Sequence, residues 1–416
     1  MKSSPVTHSF SWAILFNPAV IIASLGYFVD IYDLVLFSIV RKPSLIALGL
    51  AGPELLSKGL MLLNIQMLGM LIGGIFWGIL GDKKGRISIL FGSIILYSLA
   101  NIANGFVTSV EMYAVLRFLA GIGLAGELGA GITLVAEILP KETRGYGTMI
   151  IATIGIMGAI LANFVAKQFD WSSAYFIGGG LGIMLLILRI FVYESGMFAA
   201  VKQQSIERGN FLSLFTKWDK FRRYVHCILI GAPTWFIVGI LVSLSPEFAE
   251  ALGVQGKIDA GNAIAYCYAG LTLGDFASGM LSQYLRSRKK AMLTFLLLNC
   301  ACIITYFQLH GVDSQVFYWF IAVVGFSSGY WAIFVTIAAE QFGTNLRATV
   351  ATTVPNFARG SLNLISLTFV WLKGIEGVGI NAAGLWVGML CIAIALSALY
   401  FMSETFGKDL NYIEVT

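Results

Sequence analysis

The stretch YFVDIYDLVLFSIV, residues 27–40, holds two carboxylates, Asp30 and Asp33, inside an apolar run that begins near Asn17. A helix in water turns such acids to solvent. A helix in lipid must face them toward protein or a watery cavity. The rest of the chain decides between the two. Of its 416 residues 58% are hydrophobic and only 12% charged, where a soluble domain carries about a quarter charged. The mean hydropathy is +0.83. This composition belongs in a bilayer, and the surroundings of Asp30 and Asp33 are lipid and protein.

Twelve apolar segments follow, near 17–40, 59–80, 87–107, 111–137, 146–167, 172–193, 223–245, 261–285, 291–309, 315–339, 348–371 and 380–402. Each is close to the roughly 20 residues that cross the hydrocarbon core as a helix. A spanning segment must satisfy its own backbone hydrogen bonds, so helix is the default. The expectation is an all-α membrane protein of twelve transmembrane helices. The 46 glycines suit close packing of membrane helices. Cys227, Cys267, Cys300, Cys302 and Cys391 all fall in apolar stretches and read as small buried side chains.

Lys and Arg set the orientation. With the N-terminus inside, the inner segments hold 18 and the outer loops 6. The first outer loop, with Arg41, Lys42 and Lys58, runs against that trend. The bias predicts both termini in the cytoplasm and a multi-pass protein of the cytoplasmic (inner) membrane. No cleavable signal pattern opens the chain. The basic loop 194–222 divides the helices into two sets of six, residues 1–193 and 223–416. The halves resemble each other: AEILPKETRGYGT and AEQFGTNLRATVAT both place Glu seven residues before Arg, Glu137 to Arg144 and Glu340 to Arg347. Internal repeats mark secondary transporters.

Four fragments in order carry a family resemblance. GILGDKKGR (78–86) resembles the signature between the second and third helices of the major facilitator superfamily. RFLAGIGLAGELGAGITLVAEILPKETRG (117–145) is similar to the fourth helix of its metabolite:proton symporter branch, close to the sugar porters. DIYDL (30–34) is similar to the first-helix acidic motif of that branch, and ETFGKDLNYIE (404–414) to the sugar-porter tail. Departures exist. Asp30 stands where the branch has Glu and Ile31 where it has Trp, ESGMF (194–198) lacks the usual Pro, and Gln283 replaces the counterpart of Asp82. The fifth helix lacks the Gly-Pro element of drug:proton antiporters, which argues against efflux. The resemblance implies two pseudo-symmetric six-helix bundles and alternating access.

Three arginines, 117, 189 and 359, lie inside helices. Asp30 and Asp33 are three residues apart and share a helix face. Asp33 lies about 10 Å from the outer end of the first helix and Arg117 about 9 Å from that of the fourth, at 1.5 Å per residue. We read Arg117 as facing Asp33. Burial favours the proton on an isolated Asp, and a nearby Arg favours its loss. Movement that parts the two therefore ties proton occupancy to conformation. The resemblance implies the same role, since the first-helix Asp and fourth-helix Arg couple protons in related symporters. A static ion pair or a snorkelling side chain would explain the same residues. Glu127, roughly 80° from Arg117 around its helix, is either a second proton or substrate site or a carboxylate bonded to a neighbouring helix.

Arg359 sits about 17 Å into the eleventh helix, near the midplane. A permanent cation there needs an anion, supplied by a substrate carboxylate, gripped bidentately, or by Asp275 of the eighth helix. Tyr27, Gln66, Trp235, Tyr330, Trp331, Asn356 and Asn363 are candidate walls of a substrate pocket. At the inner face, Gly81, Asp82, Gly85 and Arg86 form a gating motif. Asp82 would favour a nearby helix N-terminus, and Arg86 would pair with Glu137. Arg144, Glu340 and Arg347 belong to the same gate. Three His residues, no nucleotide-binding glycine loop and no metal-ligand cluster argue for no enzyme activity, no cofactor, no metal and no ATP-driven pump. Nothing suggests nucleic acid. The expectation is proton-coupled uptake of a small carboxylate-bearing metabolite by a monomer whose partners are substrate, protons and lipid. The rivals are a uniporter or exchanger, an efflux transporter, and a sensor that binds without transport.

Overall fold

The computed structural model describes residues 17–84, 86–129, 131, 144–193 and 211–408. Its helices in the first half are α1 (Pro18–Ala47), α2 (Glu54–Lys84), α3 (Arg86–Asn104), α4 (Val110–Leu124), α5 (Arg144–Ile156), α6 (Gly158–Gln168) and α7 (Trp171–Tyr193). The second half has α8 (Trp218–Leu229), α9 (Ala232–Phe236), α10 (Ser245–Ala251), α11 (Ala260–Leu285), α12 (Arg288–Tyr306) and α13 (Ser314–Ser327). It continues with α14 (Trp331–Glu340), α15 (Thr344–Gly360), α16 (Leu362–Lys373) and α17 (Ile380–Phe401). Several are pieces of one rod: α5 with α6, α8 with α9, α13 with α14, and α15 with α16.

Among the described residues nine helical spans are long and apolar enough to cross a membrane. The rods Arg86–Asn104, Ala260–Leu285 and Thr344–Lys373 lie between them and fall short of that measure. The last two carry Asp275 and Arg359, and a rod that turns polar groups inward is less apolar on average. Large apolar side chains such as Phe164, Leu273, Leu364 and Trp371 are exposed, as a lipid-facing surface requires.

Packing repeats between the halves: α2 lies along α4, and α11 along α13. Glycines permit the approach. A Cβ on Gly73 would meet the Ile122 carbonyl oxygen at 2.5 Å. The two halves meet where α2 packs on α15 and where α11 packs on α5 and α6.

Two boundaries differ from expectation. The loop read as 194–222 ends earlier. Phe211–Phe215 forms a 3-10 turn and α8 begins at Trp218. Phe211 stacks near Tyr224 and Phe357, at 6.3 Å from each, so apolar burial pulls this part of the loop onto the bundle. The fourth helix, read as continuous over 111–137, turns at Ala125–Gly126. Its residues beyond 131 lie outside the described residues.

Candidate functional site

Three rods of the second half break at one level. Between α8 and α9 the chain turns at Ile230–Gly231, Pro233 follows, and a π-helical turn runs over Ile237–Val242. α13 stops at Ser327 and α14 restarts at Trp331. α15, with Pro355 inside it, stops at Gly360, and α16 restarts at Leu362. Breaks in membrane rods survive where protein or a cavity satisfies the freed backbone, and they frame binding sites in transporters. These breaks bring together Trp235, Trp331 and Arg359.

The Arg359 guanidinium lies between two indoles. Its carbon is 5.8 Å from the Trp235 ring centre and 5.9 Å from that of Trp331. The two rings meet edge to face, 6.0 Å apart at 73°. Such a box suits a cation. Arg359 Nη1 donates to Asn356 Oδ1 at 3.3 Å. Its other charge contact is Asp30 of α1, Nη2 to Oδ2 at 3.6 Å. That is ion-pair range but beyond a hydrogen bond. Both Asp30 oxygens and Arg359 Nε and Nη2 have no hydrogen-bond partner among the described residues. The two residues are 0% and 1% exposed.

This removes one of the two anions expected for Arg359. Asp275 does not neutralise Arg359. Its Oδ1 accepts the Ala332 N–H at 3.1 Å, at the opening turn of α14. A carboxylate is favoured at a helix N-terminus, and the break before Trp331 creates one beside it. Sequence spacing could not show that break.

Other candidate walls scatter. Tyr27 is buried and within electrostatic reach of Arg359, Asp30 and Asp275. Asn356 also donates to the Ala125 carbonyl of the first half at 2.8 Å, the oxygen freed by the turn after α4. Tyr330 precedes α14, buried, with its hydroxyl unpartnered among the described residues. Gln66 is 0% exposed, and neither amide atom has a partner among the described residues. Asn363 donates to the nearby Gly360 carbonyl at 3.0 Å, closing the α15–α16 break rather than facing Arg359.

The Asp33–Arg117 pairing also needs correction. Both are buried at 0% exposure, and the Arg117 charge reaches Asp33. No hydrogen bond joins them, and neither has one in the described structure. Arg117 lies over the rings of Phe37 and Tyr175, 5.4 and 5.7 Å from their centres. Asp33 instead faces Gly178 of α7. Phe37 and Tyr175 are each one turn away from Asp33 and Gly178 in the same direction, so the guanidinium sits a turn off, toward the Arg41 end. The two share a depth within one helical turn but are not in contact.

Glu127 takes the bonded alternative. It pairs with Arg189 of α7, with a second contact from Nη1 to Oε2 at 3.3 Å, and accepts from Ser93 Oγ at 3.4 Å. Arg189 also donates to the Leu90 carbonyl at 3.2 Å. The pair packs on Gly26, where a Cβ would collide with both side chains. Gly26 and Arg189 were legible as residue types, but nothing in their spacing joined them to Glu127.

At the end carrying Arg41, a clasp joins the halves. Arg41 Nη2 meets Glu247 Oε1 at 2.7 Å, and Lys42 Nζ reaches the same oxygen at 3.3 Å. Burial works against the charge of Glu247, but Arg41 and then Lys42 outweigh it and hold its carboxyl below the ordinary range. The sequence showed these cations only as exceptions to charge bias. Between clasp and Arg359 remains a cavity of about 10 Å³, lined by Leu34, Ser38, Met67, Trp235, Ser243 and Ile264 among others. That is room for about one water. At this end the halves are closed upon each other.

At the opposite end, Glu340 pairs with Arg288 at 3.3 Å and accepts from Thr405 at 2.7 Å. Gly81, Asp82, Arg86, Arg144 and Arg347 lie in helices whose side chains at these positions are outside the described residues, and Gly85 and Glu137 lie outside them altogether.

Comparison with known proteins agrees with the fold. A family model described as Major Facilitator Superfamily matches residues 23–354. The "Probable 4-methylmuconolactone transporter" of Cupriavidus pinatubonensis is 26% identical over 408 residues, covering 93% of this chain and 90% of its own. The "Niacin transporter NiaP" of Acinetobacter baylyi is 25% identical over 386 residues, covering 85% and 87%. The structure of the proton:xylose symporter XylE bound to 6-bromo-6-deoxy-D-glucose superimposes with a TM-score of 0.71 at 15% identity, covering 97% of this chain and 98% of its own.

Proposed function

The chain belongs to the Major Facilitator Superfamily, a multi-pass membrane transporter and not an enzyme, and we propose that it imports a small carboxylate-bearing metabolite together with protons. The observation that carries this reading is Arg359. It is a permanent cation, 1% exposed, set where three broken rods and α1 converge, with a single ion-pair contact of 3.6 Å among the described residues and two indoles around it. A guanidinium so placed fits a carboxylate, and the flanking indoles fit a flat, unsaturated body attached to it. A relative named for niacin, a pyridine carboxylate, supports that chemistry.

Transport proceeds by alternating access. The cavity of about 10 Å³ between the clasp and Trp235 is too small for any metabolite, so a substrate reaches the site from that end when the halves part there. The Arg41–Glu247 clasp closes the outer end. The Asn356 bond to the Ala125 carbonyl crosses between the halves on the inner side of Arg359 and must release for inward opening. Asp30, Asp33 and Arg117 supply proton coupling: α1 carries both acids, and movement of α1 against α4 and α15 changes their distance from Arg117 and Arg359. The two bundles are residues 1–193 and the part beyond the 194–222 loop. Both termini face the cytoplasm of an inner membrane, and the unit is a monomer.

The test is uptake of labelled nicotinate into proteoliposomes holding the full chain, with the outside acidified or not. Accumulation should require the proton gradient and be lost in Arg359→Gln. Equal accumulation without a gradient, or full uptake by Arg359→Gln, would refute the reading.

A further inference from the structure

One guanidinium holds the only ion-pair contact that Asp30 makes among the described residues. Asp30 and Arg359 are both buried, yet they stop at 3.6 Å, and their facing atoms have no hydrogen-bond partner among the described residues. Taking two charges out of water is offset only when geometry is good and the remaining lone pairs and protons are satisfied. Here they are not. A free carboxylate that reaches Arg359 bidentately satisfies the guanidinium better than Asp30 does in this arrangement.

We propose that Asp30 competes with the substrate carboxylate for Arg359, and that a proton taken up by Asp30 releases the guanidinium to the substrate. This rests on the carboxylate reading given above. The exchange balances. Before it, Arg359 is a cation and Asp30 a carboxylate. After it, Asp30 is a neutral acid holding one proton, and the substrate carboxylate stands beside Arg359. The charge buried in the site is unchanged. A substrate anion entering without the proton would leave two carboxylates around one cation, with like charges facing each other out of water. Proton and substrate therefore load together.

The groups around Asp30 support this assignment. On its own helix are Tyr27 and Asp33. On α3 is Tyr97, and on α11 Tyr268. Asp30 also feels the charge of Glu127, which follows α4, but Arg189 of α7 holds that carboxylate. Arg117 of α4 lies beyond Asp33, over Phe37 and Tyr175. Arg359 is thus the cation to which Asp30 answers, and Asp30 is the acid that a substrate must displace.

Titration calorimetry on the full chain in nanodiscs tests this, with nicotinate as the probe and uncharged nicotinamide as its control. Runs at pH 8 in two buffers of different ionisation heat count the protons taken up per ligand bound. The wild type should take up about one proton per nicotinate, and its affinity should fall about tenfold per pH unit at alkaline pH. Asp30→Asn should bind nicotinate with no proton uptake and a flat pH profile. Nicotinamide should show no proton uptake in either protein. Nicotinate bound by the wild type without proton uptake, or by Asp30→Asn with undiminished uptake, overturns the competition and leaves the carboxylate reading standing. Nicotinate binding unaffected by Arg359→Gln, or absent from every form, overturns both. Should Asp30→Asn not fold, the wild-type contrast between nicotinate and nicotinamide decides.

Discussion

Glu247→Gln should loosen the Arg41 end of the protein without touching the central site. Glu247 accepts both Arg41 and Lys42 through one oxygen, at 2.7 and 3.3 Å. The Arg41 side chain is 3% exposed and that of Glu247 16%, while Lys42 is 40% exposed. Breaking a fully buried pair costs about 3–5 kcal/mol, and an exposed pair about 0–1. The Arg41 contact lies between these limits and the Lys42 contact near the lower one, giving about 2 kcal/mol for the clasp. That is roughly a thirtyfold shift in the balance of closed and open forms. Ser38 lines the small cavity behind the clasp and is 7% exposed. In a Ser38→Cys background, labelling by a membrane-impermeant maleimide should accelerate on adding Glu247→Gln. Because the Glu247 carboxyl is held below its ordinary range, the clasp persists above the unpaired carboxylate pKa of about 4.3. It is lost only as pH falls through the lower, paired value. Maleimide adds to the thiolate and slows in acid for both proteins alike, so below that range the parent rate should rise relative to the Glu247→Gln rate until the two converge. An unchanged or slower rate in Glu247→Gln at neutral pH would refute the clasp.

Gly26→Val should cost about 3 kcal/mol by driving a side chain into the Glu127–Arg189 pair, read as a lower unfolding midpoint. Gly180→Val, with open space around its Cβ, should stay near the parent. Trp331→Ala should weaken nicotinate binding roughly tenfold, and Trp331→Phe by less, since a ring keeps part of the cation–π face; calorimetry measures both. Glu404 is partly buried, which opposes its charge, but Ser287 and the backbone N–H groups of Phe406, Arg288 and Thr405 hold its carboxyl near about 2. Glu404→Ala should speed hydrogen exchange at the Arg288 and Lys289 amides, while the parent keeps that protection above about pH 4.3 and loses it only as pH falls toward 2.

Residues that announce themselves by being costly in lipid were legible from the sequence. Asp30, Asp33, Arg117, Glu127 and Arg359 stand out because a charge among apolar residues demands a partner. Which partner was not legible. The Asp30–Arg359 contact spans most of the chain, and its existence depends on rods that bend. Two of those bends lie at Gly231–Pro233 and near Pro355, and nothing in SSGYW (327–331) fixed where α14 restarts. Asp275 was drawn toward Arg359 by depth alone, whereas the new helix start at Trp331 claims it. Asp33 and Arg117 agreed in depth to within a turn, and the guanidinium lies over Phe37 and Tyr175 with no ion-pair contact to Asp33 among the described residues. The clasp at Arg41 was hidden for a different reason. Loop charges read as orientation signals, and Glu247 lies too far along the chain to suggest a pair.

Proton movement during downhill substrate entry reaches the central claim most directly. Proteoliposomes with no imposed gradient, weakly buffered outside, receive a pulse of nicotinate while external pH is recorded. The account predicts a transient external alkalinisation with the wild type and none with Asp30→Asn or Asp33→Asn. Nicotinate entering at full rate while the external pH stays level would contradict it.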